Sequence, residues 1–252
     1  MLAIERRNAF LSKLYLDGKV IVSELSSEFD VTEETIRRYL EKLDKEGLAQ
    51  KTYGGAVLVQ NFSTDLPHRV RKKANVEAKQ KIAEKVSSLF NDGDCILVDS
   101  SSTALLVLNY IKNLKIITLI TNSVEALIEL SDKDDWNVFS TGGKLKRGSL
   151  SLVGPQAEKT IRAFHVDYAV CSSKGLDMNR GITDSNEKDS EMKQAIFESA
   201  ETKVLLVDSS KFDKISLIKV GDVTNVDIIA TDTEPSANWI EYLKSKHIEL
   251  MY

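Results

Sequence analysis

Two hydrophobic rhythms divide the chain. In the first 57 residues, apolar positions recur at helical spacing. Ala3 to Asp17 predicts an amphipathic helix with Ile4, Leu11 and Leu14 on one face and Gly18 as its stop. Val20-Ile21-Val22 predicts a short extended piece. Ser23 is placed to cap a second helix, Glu24 to Phe29, in which Leu25 and Phe29 fall at i and i+4. Asp30 and Val31 form a turn, and Thr32 caps a third helix running to about Glu46. Ile36, Leu40 and Leu43 are its inner stripe, and Gly47 closes it. From Leu48 to Val57, two short extended pieces flank Gly54-Gly55, which predicts a β-wing.

Residues 58–75 are polar and irregular, with Pro67 and the basic run Arg69 to Lys73, and are read as a linker. From 76 to 252 the rhythm changes. Short apolar runs recur at Cys95–Val98, Ile116–Ile120, Trp136–Phe139, Tyr168–Cys171, Val204–Val207 and Ile228–Ala230. Their apolarity is continuous rather than alternating, as in strands buried on both faces of a parallel sheet. Helical patterns at Glu77–Phe90, Thr103–Lys112, Ser123–Leu130 and Ser190–Ser199 lie between them. The expected fold class is α/β: a small three-helix unit with a wing (1–57), then an open α/β domain (76–252).

The third helix carries the adjacent pair Arg37-Arg38, which point about 100° apart on a helix. With two helices and a tight turn before it and a glycine wing after it, this is the order of a winged helix-turn-helix, whose second motif helix enters the major groove. Double-stranded DNA is therefore the expected partner. The expected contact set is Thr32, Thr35, Arg37, Arg38, Lys42, Lys51 and Tyr53, the last three on the DNA backbone. Charge does not add to this. The whole chain carries −4, and residues 1–60 hold nine Lys+Arg against ten Asp+Glu, so any attraction to phosphate depends on local placement.

In the second domain the informative residues follow the strands. The first run leads into Asp99-Ser100-Ser101-Ser102-Thr103, the second into Thr121-Asn122-Ser123, and the third into Thr141-Gly142-Gly143. The Tyr168 run leads into Ser172-Ser173-Lys174-Gly175, the Val204 run into Asp208-Ser209-Ser210-Lys211 and the last into Thr231-Asp232. Open α/β sheets bind ligands outside the carboxyl ends of their strands. Hydroxyls, amides, glycines and two lysines there suit a phosphorylated, hydroxyl-rich small molecule. The expected effector contacts are Asp99, Ser101, Ser102, Thr103, Asn122, Gly142, Lys174 and Lys211.

Composition narrows the alternatives. An apolar fraction of 42% and a charged fraction of 29% are those of a soluble globular protein, and no apolar run reaches the roughly 18 residues of a membrane span. The start, Met1 to Arg7, has no uninterrupted apolar core, so a cytoplasmic location is expected. Cys95 and Cys171 lie in apolar runs and read as free buried thiols. His68, His165 and His247 have no metal-ligand spacing, so no metal is expected. Walker and G-x-G-x-x-G signatures are absent, no cofactor is expected, and no catalytic residue is assigned. The rival reading is a sugar-phosphate isomerase using Asp99, Glu187 or Lys211 as acid–base groups.

The residues resemble the DeoR family of bacterial transcription regulators over nearly the whole chain. In the first unit the match runs through the first helix to Gly18, Val22-Ser23-Glu24-Leu25, Thr35-Ile36-Arg37-Arg38 with Leu40, Leu43, Gly47 and Gly54-Gly55-Ala56. In the second it comprises Asp99-Ser100 with Thr103, Thr121-Asn122-Ser123, Gly142-Gly143, Gly154, Asp167, Gly181-Ile182-Thr183, Asp208 to Phe212 and Thr231-Asp232. The resemblance implies a winged helix-turn-helix repressor of carbohydrate operons. It further implies a sensor domain similar in fold to ribose-5-phosphate isomerase, relief of repression by a sugar phosphate, and a homo-oligomer. The chain departs from the family pattern at Tyr39, where aspartate is usual. Lys51 and Tyr53 stand in place of Arg and His in the wing, and Ser101 in place of a loop glycine.

Overall fold

A computed structural model describes residues 9–11, 13, 14, 17–58 and 68–252. It divides into two units, Met1–Asn75 and Val76–Tyr252.

In the first unit, the described residues between 9 and 17 are helical, and Phe10, Leu11 and Leu14 are fully buried. Ile4 lies outside the described residues. Strand β1 (Lys19–Ile21) runs directly into helix α1 (Val22–Phe29). Ser23 is therefore not the cap expected of it. Ile21 holds that position without a side-chain bond, and the Val22 N–H donates to Gly54 O at 2.8 Å instead. Asp30, left-handed at φ 49°, closes α1. Thr32 caps α2 (Glu33–Lys45), its hydroxyl accepting from Thr35 N, as expected of it. Strands β2 (Ala49–Lys51) and β3 (Gly55–Leu58) form the wing, and β1 joins it in the antiparallel order β1-β3-β2. Leu25, Ile36, Leu40 and Leu43 pack against Phe10, Leu11 and Leu14.

The stretch read as linker is not irregular throughout. Residues 59–67, with Pro67, lie outside the described residues, but His68–Lys73 is a helix, α3. Val70, 1% exposed, seats that helix in the core of the first unit. A basic exterior around one apolar anchor made a helix look like a tether.

The second unit is built on a seven-stranded sheet. Its strands are β4 (Cys95–Val98), β5 (Thr118–Thr121), β6 (Asn137–Ser140), β9 (Val166–Ser172), β12 (Ala200–Leu206), β14 (Ile228–Ala230) and β15 (Glu249–Met251). All pairings are parallel, in the order β15-β14-β12-β9-β4-β5-β6. The continuous apolar runs feed two cores, one on each face. Ile96 and Val98 join one with α4 (Val76–Ser87) and α5 (Ser102–Tyr110). Leu97 joins the other with α7 (Pro155–Arg162), α8 (Glu187–Glu198) and α9 (Ala237–Ser245). Helix α6 (Val124–Glu129) follows β5. Antiparallel pieces decorate this frame: the hairpin β7 (Lys144–Lys146) and β8 (Ser151–Val153), and the sheet β10 (Gly175–Asp177), β11 (Gly181–Asp184) and β13 (Ile218–Gly221). Among the described residues no helix is long and apolar enough to cross a membrane.

Candidate nucleic-acid interface and effector site

Helix α2 buries Ile36, Leu40 and Leu43 and exposes the opposite face. The two arginines are not equivalent. Arg37 Nη2 lies 2.9 Å from Glu33 one turn earlier. The Arg38 side chain is exposed and has no hydrogen-bond or ion-pair partner among the described residues, and the Lys42 side chain is likewise exposed and unpaired among them. Thr35 Oγ1 lies 3.0 Å from Thr32 Oγ1, so these two hydroxyls hold each other at the start of the helix. Lys51 is tied to the helix. Its ammonium lies 2.6 Å from Glu41, and its N–H donates to Asp44 at 3.1 Å. The hydrogen bond and charge of Lys51 hold the Glu41 carboxyl below its ordinary value. Tyr53, at the tip of the wing, is entirely exposed. Tyr39, where the family pattern has aspartate, packs edge-on against Phe10 with ring centroids 5.3 Å apart. The departure at this position packs a ring against the core of the first unit.

In the second unit, chain order reverses direction between β4 and β9. From β4 the chain goes on to β5 and β6 on one side, whereas β9, β12, β14 and β15 lie on the other. That reversal opens the crevice in which doubly wound sheets hold ligands. Asp99 sits at its mouth, 3% exposed. Its N–H donates to Val170 O across the crevice, and its carboxylate accepts from Ser101 N at 3.0 Å and Ser172 N at 3.4 Å. Asp99 thus organises the loop between β4 and β9. Ser101 is the N-cap of α5, accepting from Ala104 N, and Ser102 and Thr103 begin that helix, all three buried. Ser101, a family departure, has a local structural use.

Asn122 follows β5, next along the same edge, and is 3% exposed. Its amide nitrogen donates to Leu152 O at 3.1 Å, and its backbone carbonyl accepts from Leu152 N at 2.8 Å. Gly142, with φ +63°, follows β6. Lys174 follows β9, and its charge acts on Asp184. Lys211 ends the 3₁₀ turn after β12, half-buried, with its ammonium unpaired among the described residues. Asp208 caps that turn by accepting from Ser210 N at 3.2 Å. The parallel sheet thus puts every expected effector contact on one edge, spread over five neighbouring strand ends.

Two groups beneath that edge, Lys193 and Asp184, were not expected. Lys193, on the buried face of α8, reaches Asp184 at 2.9 Å and Asp99 at 3.4 Å. Burial pushes the Lys193 ammonium toward neutrality, but the Asp184 and Asp99 carboxylates outweigh that and raise its pKa. Burial likewise pushes the Asp184 carboxyl up, but the ammonium groups of Lys193 and Lys174 hold it below its ordinary value. One ammonium therefore serves two buried carboxylates, and Thr183, 2% exposed, lies beside Asp184 on β11. A lysine bracketed by Met192, Ala195 and Ile196 was the available signal, because an unpaired lysine is not tolerated on a buried helix face. Cys171 is also buried beneath this edge, and burial pushes its thiol well up, away from the reactive thiolate.

Two family models cover most of the chain: the DeoR-like helix-turn-helix domain matches residues 6–62, and the DeoR C terminal sensor domain matches residues 74–233. The chain belongs to the DeoR family of transcription regulators. This DeoR-family chain is 36% identical over 250 residues to the uncharacterized HTH-type transcriptional regulator YulB of Bacillus subtilis (strain 168), spanning 99% of this chain and 96% of that protein. It is 28% identical to the glycerol-3-phosphate regulon repressor of Escherichia coli (strain K12), spanning 98% and 97%. Among solved structures, ribose 5-phosphate isomerase A from Methanocaldococcus jannaschii aligns over 55% of each chain at 19% identity and a TM-score of 0.41.

Proposed function

We propose that this DeoR-family regulator is a cytoplasmic, homo-oligomeric repressor of a carbohydrate-utilisation operon and is released from its operator by a phosphorylated sugar. The observation that carries the reading is the pairing of two surfaces in one chain. One is a helix whose Arg38 and Lys42 side chains are unpartnered among the described residues. The other is a strand-end crevice lined by buried hydroxyls, an amide and a free Lys211 ammonium. Arg38 and Thr35 read base edges, while Lys42 and the wing hold phosphate. Arg37 and Lys51 exchange Glu33 and Glu41 for DNA on binding. The sugar phosphate sets its phosphate at the N-terminal end of α5 and at Lys211, where the helix dipole and a mobile ammonium favour an anion. A relative named as a glycerol-3-phosphate regulon repressor fits an effector of this class. No cofactor or metal takes part. Release requires the effector to favour a subunit arrangement that cannot span two half-sites. A coupling of about 1–3 kcal/mol changes occupancy by roughly 5–150-fold.

The test is a gel shift on the DNA upstream of the chain's own gene, with and without a panel of sugar phosphates. Specific binding abolished by one compound is the expected result. Absence of specific binding at low salt, with the protein folded, overturns the reading.

A further inference from the structure

One atom beneath the strand ends has no partner. Asn122 Oδ1 is buried and finds no hydrogen-bond donor, the only such side-chain atom among the described residues. Its identity as oxygen is fixed by its other half. The amide nitrogen faces the Leu152 carbonyl at 3.1 Å, and a flipped amide would set two acceptors against each other. The neighbouring donors are committed. Thr121 Oγ1 donates to Val98 O at 2.8 Å, the Ser123 N–H donates to Thr121 Oγ1 at 3.0 Å, and Ser149 and Ser151 pair with each other at 2.7 Å. Buried acceptors without a donor are rare in folded proteins and call for a ligand or water that supplies one.

Its place in the sheet says which site that ligand belongs to. Val98 pairs with Thr121, so Asp99 and Asn122 are the next residues out on adjacent parallel strands, at the crevice edge. We infer that Asn122 is the hydroxyl-reading contact of the effector site: its Oδ1 accepts a hydrogen bond from one hydroxyl of the bound molecule. This rests on the reading of the sensor domain as a sugar-phosphate site and adds an orientation to it. A carbonyl-type oxygen only accepts, and so do the oxygens of a phosphate dianion, so the phosphate does not occupy this position. The effector turns a hydroxyl-bearing carbon toward the end of β5 and its phosphate toward α5 and Lys211. Compounds lacking that hydroxyl leave Oδ1 desolvated and unpaired, which is how a site of this kind rejects close analogues.

The experiment is calorimetric titration of the full chain with ribose 5-phosphate, glucose 6-phosphate, fructose 6-phosphate, glycerol 3-phosphate and inorganic phosphate. It is followed, for each sugar or polyol phosphate that binds, by its monodeoxy analogues. Wild type and Asn122→Ala are compared, with operator binding as the check that the variant is folded. In wild type, loss of one particular hydroxyl is expected to weaken binding by about tenfold. In Asn122→Ala the same loss is expected to cost less than about twofold, with inorganic phosphate binding both proteins alike. A hydroxyl dependence that is the same in both proteins overturns the assignment. So does a wild type that binds every monodeoxy analogue as well as its parent, a result that needs no variant. Failure of every sugar phosphate to bind overturns the sensor reading itself, and this inference falls with it.

Discussion

Lys193 Nζ lies 2.9 Å from Asp184 Oδ2 and 3.4 Å from Asp99 Oδ2, so α8 pins β11 and the loop after β4 with one charge. Asp99 is at the mouth of the crevice and Asp184 ends a strand of the small antiparallel sheet. The floor of the candidate effector site is therefore a polar joint between the main sheet and its decoration. Two carboxylates buried together are costly alone, and the ammonium between them makes their burial tolerable.

Lys193→Met tests that joint. It keeps most of the side-chain volume and removes the charge, leaving Asp184 and Asp99 buried against each other. A loss of about 3–5 kcal/mol in stability is expected, the usual consequence of stripping one partner from a buried pair. Thermal or urea denaturation of the full chain measures it. A melting temperature within a degree or two of wild type would show that the cluster is hydrated and not structural.

The same cluster sets a pH window. The depressed carboxyl of Asp184 gives stability that is present above its ordinary value of 3.8 and is lost as pH falls through its lowered folded value. The raised ammonium of Lys193 gives stability that is complete below its ordinary value of 10.5 and is lost as pH rises toward its folded value. Stability is expected to be flat between about pH 5 and 10 as far as this cluster contributes, and to fall outside both limits. In Lys193→Met the alkaline fall from this source should disappear. Denaturant midpoints across the pH range read both effects.

Much of this architecture was legible because its signals are local. Thr32 caps α2 through its own hydroxyl, and the core strands announce themselves as apolar runs because both faces are covered. Lys144–Lys146 and Gly175–Asp177 gave no such signal. They are three residues long, too short to show a period, and pairing with the next segments, Ser151–Val153 and Gly181–Asp184, makes them strands. Ser23 misled for a related reason, since a carbonyl from the wing takes the N–H that a cap would take. Strand-end hydroxyls and amides marked the edge of the candidate site, but the cluster beneath it did not show. Lys193 meets Asp99 only after the sheet has brought together segments far apart in sequence.

On the DNA side, the arginine pair should separate. Arg38→Ala is expected to cost about 1–3 kcal/mol of operator affinity and to relax base preference at one position, with folding intact. Arg37→Ala should cost less, because wild-type Arg37 must first release Glu33. Lys42→Ala should weaken binding to all sequences and reduce the salt slope by about one. Fluorescence anisotropy across a salt series distinguishes these. Equal losses for Arg37 and Arg38 would mean that the Glu33 ion pair carries no weight in binding.

Lys211→Ala should separate sensing from DNA binding. Its ammonium is unpaired in the described structure, so its removal disturbs no internal contact. Operator affinity is expected to stay within about twofold, while the effector concentration needed for release rises by about tenfold or more for a lost charge-assisted contact. Unchanged release in a titrated gel shift would place the phosphate elsewhere along the strand ends.

The wing glycines make opposite predictions from adjacent positions. A Cβ built on Gly55 would stand 1.9 Å from Val20 O, so the crossing of β1 and β3 requires glycine there. A Cβ on Gly54 meets nothing within 4 Å. Gly55→Ala must push β1 away from β3, where Val20 and Ala56 belong to the core of the first unit. A cost of about 1–3 kcal/mol or more is expected, together with loss of operator binding as the wing shifts. Gly54→Ala should fold as wild type and leave the wing strands paired, testing whether backbone approach at the tip matters to DNA. Circular dichroism melts with anisotropy on both variants decide it. A stable, fully binding Gly55→Ala would mean that β1 is free to move and that the wing is not held by the contact described.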